Sequence, residues 1–189
     1  MSSLLIFKTL CMKESLFAVT ITVLLSSFII PLRKADVKLS PISSSYSFAI
    51  PGSPGMPDMN LEESSAVYQL MKGKTTTPVL TIVGAKSTIR LKVGTGEFRA
   101  HPVPGTNVTS TDNISLYKLD TDRKNRSLSL DPTGIISATK VNIYLTQIDA
   151  QTYRIAITGG ISLTGEYAFV EKNMAAANST LTVWCFGID

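Results

Sequence analysis

Residues 141–158, VNIYLTQIDAQTYRIAIT, decide the class of fold. Val141, Ile143 and Leu145 alternate with Asn142, Tyr144 and Thr146. Beyond a short polar stretch, Tyr153, Ile155 and Ile157 alternate with Arg154, Ala156 and Thr158. Successive side chains of an extended chain point to opposite faces, so this pattern buries one face and wets the other, as antiparallel sheets require. The same period runs on both sides. Ile89, Leu91 and Val93 alternate with Thr88, Arg90 and Lys92, and Leu181, Val183 and Cys185 alternate with Thr182, Trp184 and Phe186. Further strands are predicted at 66–72, 78–84, 114–119, 126–130 and 165–171. Turn signals separate them at Gly73, Gly94–Gly96, Pro102–Gly105, Asp131–Gly134 and Gly159–Gly160. About nine short strands in one region imply an all-β, antiparallel β-sandwich, Ig-like or jelly-roll-like. Asn60 and Glu63 could instead cap a helix over 61–72 closed by Gly73. Val67, Tyr68 and the serines at 64 and 65 favour a strand from about 66.

The domain is therefore expected over 65–189. Residues 36–64 carry Pro41, Pro51, Pro54 and Pro57 among serines and glycines. PGSPGMPD (51–58) fits neither a helix nor a central strand and reads as linker or as an edge segment laid over the domain. Upstream, LFAVTITVLLSSFII (16–30) follows Lys8 and Lys13. It is short for a membrane span and suits the apolar part of a secretory signal, so 1–35 reads as signal peptide or N-terminal anchor, with Met12 a plausible true start. Arg33 spoils the small-residue pattern before Ala35, which keeps the anchor open; a buried helix is the third option.

The chain has 189 residues, 44% of them hydrophobic and 17% charged, which excludes a disordered chain and several large domains. Two cysteines and one histidine rule out a disulfide scaffold and a Cys/His zinc site. The formal charge of +4 is concentrated near the leader: from residue 36 on, 14 Lys and Arg stand against 13 Asp and Glu, a net +1. Arg123, Lys124 and Arg126 lie beside Asp120 and Asp122 and read as a solvated hairpin, so no nucleic-acid partner is expected.

Four strings, GAKSTIRL (84–91), ISLYKL (114–119), GEYAF (165–169) and VWCFGID (183–189), make the stretch 84–189 resemble uncharacterised exported β-rich proteins of Bacteroidetes-like bacteria. Such proteins commonly end in a GEYAF-like turn and an FGID-like last strand. The resemblance implies an exported compartment and a β fold and supplies no activity or site. Thr164 stands where those proteins usually have Pro, which implies a less rigid turn.

Leu163, Gly165 and Tyr167 have the spacing of a turn feeding a strand whose tyrosine hydroxyl caps nearby backbone, a tyrosine corner; an ordinary turn with a half-buried Tyr fits equally. Catalytic signatures fail one by one. Ser115–Lys118 and Ser137–Lys140 match S-x-x-K, but an odd separation on a strand sends the two side chains to opposite faces. Gly160-Ile-Ser162-Leu-Thr164 lacks the last Gly of a nucleophile elbow. Gly84-Ala-Lys86-Ser87 is no P-loop. Asp120-Thr-Asp122 starts like a calcium loop, but Lys124 and Asn125 fill the next ligand and glycine positions. His101 has no nameable nucleophile and reads as a loop residue. Asn107, Asn113, Asn125 and Asn178 open N-x-[ST] sequons, meaningful only in a eukaryotic secreted chain. Trp184 and Phe186 share a strand face: exposed, they would form a patch for a sugar or protein partner; buried, they are core and Cys185 faces outward.

No catalytic, metal or cofactor residue is thus named. The expected function is an exported non-enzymatic binding or envelope-interaction module, with an envelope protein or glycan as partner and membrane contact only through the N-terminal segment. Two alternatives stand: a small periplasmic hydrolase or ligand-binding enzyme on a sandwich, with a concave pocket collecting His101 or several carboxylates, and a pilus-like subunit that exchanges its apolar last strand.

Overall fold

The computed structural model describes residues 44–71, 76–104, 114–171 and 179–189. The chain divides into a unit Met1–Lys38, outside the described residues, and a unit Leu39–Asp189 that holds all of them. The leader, Cys11 and the sequons at Asn107, Asn113 and Asn178 lie outside the described residues.

Thirteen strands and no helix make up the described fold: β1 Tyr46–Ile50, β2 Met59–Asn60, β3 Glu62–Met71, β4 Thr77–Val83, β5 Arg90–Leu91, β6 Glu97–Pro102, β7 Ser115–Thr121, β8 Asn125–Ser129, β9 Lys140–Val141, β10 Tyr144–Asp149, β11 Thr152–Ala156, β12 Gly165–Val170 and β13 Thr180–Ile188. The pairing is antiparallel throughout except for β5, which lies parallel to the end of β13. The strand predicted over 88–93 shrinks to this two-residue β5, because Val93 has left the core and is 49% exposed. The helix considered over 61–72 is absent: β3 is extended and pairs with β4 and β13.

The two layers are not a plain sandwich. Strands β12, β13, β3, β4, β8 and β7 follow one another by hydrogen bonding, and β12 also pairs with β7, from Glu166↔Leu119 to Val170↔Ser115. Six strands therefore close into a barrel, which removes their free edges. Its interior is filled by Ala66, Leu80, Ile82, Tyr117, Leu119, Leu128, Ala168, Val170, Leu181, Val183 and Cys185. A second sheet, in the order β10-β11-β6-β1-β2, supplies Tyr46, Phe48, Phe98, Ala100 and Ile155 to another core. That core is completed by Leu116, Tyr167, Phe169, Trp184, Phe186 and Ile188 from the barrel strands β7, β12 and β13. Aromatic contacts bind the layers: Phe48 stacks on Phe169 at 4.8 Å between ring centroids, and Phe98 meets Phe169 edge-on at 5.2 Å.

This arrangement corrects two expectations. Trp184 and Phe186 are 5% and 0% exposed and belong to the core between the layers, so they form no partner-binding patch. Cys185 does not face outward either; it is 0% exposed inside the barrel. Strand β13 is buried on both faces, one against each core, so choosing one face as core and the other as surface could not succeed. The domain also starts before residue 65. Strand β1, within the stretch read as linker, pairs with β6 and places Phe48 in the core. PGSPGMPD forms the loop from β1 to β2, consistent with prolines that cannot join a central ladder.

Candidate functional site

All six barrel strands alternate in direction, so one barrel end gathers the starts of β3, β8 and β12 and the ends of β4, β7 and β13. Residues 84–91 cross this end before β5 docks on β13. An ionic network fills it. Glu62, the first residue of β3, accepts hydrogen bonds from Arg126 Nη2 at 2.7 Å, Ser87 Oγ at 2.9 Å, Thr88 Oγ1 at 2.8 Å and the Thr88 backbone N–H. Burial by itself would raise the Glu62 pKa. The Thr88 amide, the Arg126 guanidinium and the two hydroxyls outweigh it and bring it down to about 2. Arg126, on β8, has its side chain 2% exposed; its Nε donates to the Gly84 carbonyl at 3.0 Å, and its Nη1 lies 3.9 Å from Glu166 Oε2. A buried guanidinium needs this company, because an isolated charge would not tolerate removal from water.

Glu166, on β12, accepts from the Ser87 backbone N–H at 2.8 Å and from Arg90 Nη1. Arg90 turns its other edge to Asp189, with Nε 2.9 Å from Oδ2 and Nη2 on Oδ1. The resulting fork is the bidentate geometry at which Arg excels. It holds the Asp189 carboxyl below its usual range, with Lys86 adding to the effect. Gly187 makes room for it: a Cβ there would stand 1.6 Å from Arg90 Nη1.

Beside this network opens a cavity of about 340 Å³, lined by Ala85, Lys86, Arg90, Lys118, Leu119, Thr121, Thr164, Gly165, Glu166, Ile188 and Asp189. GAKSTIRL gives it Ala85, Lys86 and Arg90; ISLYKL gives Lys118 and Leu119; GEYAF gives Gly165 and Glu166; VWCFGID gives Ile188 and Asp189. The four strings quoted for the resemblance therefore meet at one place. Gly165 has φ +141°, and a Cβ on it would stand 3.1 Å from Lys118 Cε, so the lysine lies across a glycine. Lys86 and Lys118 make no ion pair among the described residues.

The other sequence candidates lie elsewhere or are otherwise engaged. Tyr167 Oη donates to the Leu163 carbonyl at 2.8 Å, the geometry of a tyrosine corner, and its ring stacks on Phe186. His101 is on β6, in the second sheet. Its Nε2 is 3.2 Å from Asp58, which also accepts from Arg99 Nη1 at 2.8 Å and the Gly52 N–H. The cavity collects two carboxylates, Glu166 and Asp189, and not His101. Ser115 points with Tyr117 to the barrel interior while Lys118 shares the face of Leu116, so this S-x-x-K pair stays split. Asp122 Oδ1 accepts from the backbone N–H groups of Lys124 and Asn125, which makes it a hairpin residue. Among the described residues no group of three or more His, Cys, Asp or Glu stands where it could hold a metal ion. Cys185 is buried, and burial pushes its thiol up to about 12.

Sequence reasoning missed Arg90, Glu166 and Asp189 as a unit. They are 76 and 99 residues apart from Arg90, and only the parallel docking of β5 on β13 joins them. Compared with protein-family models, with curated proteins and with solved structures, the chain matches none.

Proposed function

We propose that the protein is an exported, non-enzymatic binding module whose partner, an envelope protein or glycan, docks at the barrel mouth. One observation carries this: four sequence strings spread over 84–189 converge on one open cavity bearing two lysines that make no ion pair among the described residues. The leader at 16–30 supports export. A binding role suits the way the charged groups are tied. Glu62, Glu166 and Asp189 are each held by arginine, a state suited to fixed geometry and not to cycling protons. The apolar last strand, which motivates the pilus-like alternative, pairs with β12 and β3 in the barrel wall, and this favours the binding-module reading.

In-cell cross-linking of the full-length protein, with mass spectrometry of the captured species and of the chain's N-terminus, tests the proposal. Capture of one envelope protein or glycan, on a chain lacking or anchored by the leader, is the expected result. A protein found only in the cytoplasm, or one with no captured species, would overturn it.

A further inference from the structure

The cavity is polar but unevenly charged. Its lining holds two side-chain carboxylates, Glu166 and Asp189, beside Arg90, Lys86 and Lys118. Arg90 is committed to those carboxylates. Lys86 and Lys118 make no ion pair among the described residues and offer two ammonium groups to a ligand. One ligand carboxylate suits that pair. A dianion such as phosphate would meet stronger repulsion from Glu166 and Asp189, which can only accept hydrogen bonds. The remaining lining divides into hydroxyls, Thr121 and Thr164, and a small apolar part, Ala85, Leu119 and Ile188. Carboxylate oxygens already oriented by Arg90 are acceptors for a ligand's hydroxyl groups. The volume, about 340 Å³, lies at the small end of ligand sites and matches one sugar ring better than a peptide segment.

We infer that the barrel mouth binds an acidic monosaccharide unit of the uronic-acid type, its carboxylate drawn to Lys86 and Lys118 and its hydroxyls to Thr121, Thr164 and Asp189. This deepens the binding-module reading by naming its ligand class. Gly165 leaves room for Lys118: a Cβ there would stand 3.1 Å from Lys118 Cε, and its φ of +141° is one that other residues rarely adopt.

Isothermal titration of the full-length protein with glucuronate, glucose, acetate and inorganic phosphate tests the inference. Glucuronate is expected to bind at least about tenfold more tightly than the other three, because charge and hydroxyls act together. Lys118→Met and Lys86→Met are each expected to weaken it about tenfold, with unchanged circular dichroism, while Lys140→Met on β9, outside the cavity, leaves it unchanged. Phosphate or acetate binding as tightly as glucuronate would reduce the site to a general anion trap and overturn the inference. So would glucuronate affinity indifferent to both lysine variants, or no glucuronate binding. Any of these, together with envelope capture by cross-linking, would refute the ligand class alone and leave the binding-module reading in place.

Discussion

At the residue scale, the ionic network decides how the barrel tolerates change. Glu62→Leu leaves Arg126 buried with its nearest carboxylate gone, a loss of about 3–5 kcal/mol. Glu62→Leu combined with Arg126→Met removes both charges and should cost less than Glu62→Leu alone; urea unfolding of the two variants checks this, and additive costs would refute the coupling. Acid acts on the same group. The folded pKa of Glu62, about 2, lies below its ordinary 4.5, so the folded state gives up the proton more readily than the unfolded one. Its contribution is therefore complete above about pH 4.5 and lost as pH falls toward 2. Denaturant midpoints measured across that window should fall more steeply for the parent than for Glu62→Gln. Tyr167→Phe removes the hydroxyl from the Leu163 carbonyl. Leu163 is 60% exposed, so water replaces the lost donor and the expected cost is about 1 kcal/mol. Cys185, with its thiol raised by burial, should react with a disulfide reagent only in urea; in a Cys11→Ser background, fast labelling of the native protein would contradict its place inside the barrel.

At the element scale, β13 organises the molecule. It pairs with β12, β3 and β5 and sends Trp184, Phe186 and Ile188 to one core and Leu181, Val183 and Cys185 to the other. Gly187→Ala would push Arg90 off its two carboxylates. The expected penalty is about 1–3 kcal/mol, read as a lowered melting temperature, with β5 losing amide-exchange protection before the rest. Strand positions such as 78–84 and 165–171 were legible because each carries a short apolar run, Val79–Val83 and Tyr167–Val170, with a glycine at one end. Strands β1 and β6 were also written in alternation, Tyr46-Phe48-Ile50 and Phe98-Ala100, but prolines nearby drew the first into a supposed linker. The face of β13 was not legible, because a strand buried on both sides carries no polar face to read.

At the scale of the whole molecule, the decisive pairing is β7 with β12, which turns a sheet into a barrel. It joins residues far apart in sequence, so no local period could announce it, and an open sandwich was the natural reading of the same strands. The ionic mouth stayed hidden for the same reason: Glu62, Arg90, Arg126, Glu166 and Asp189 each look like ordinary surface charges until the strands align. Pairings of this range also set the folding rate. Refolding after dilution from urea should take on the order of milliseconds to seconds, as for other β proteins rich in non-local contacts; microsecond refolding would contradict the closed topology. In the proposed function the partner docks at the mouth end of the barrel, and a photo-reactive residue tests that placement directly. Installed at Thr164, on the cavity rim, it should capture the partner in cells, while the same residue at Thr146, exposed on β10 of the second sheet, should not. Capture at Thr146 and none at Thr164 would contradict the account.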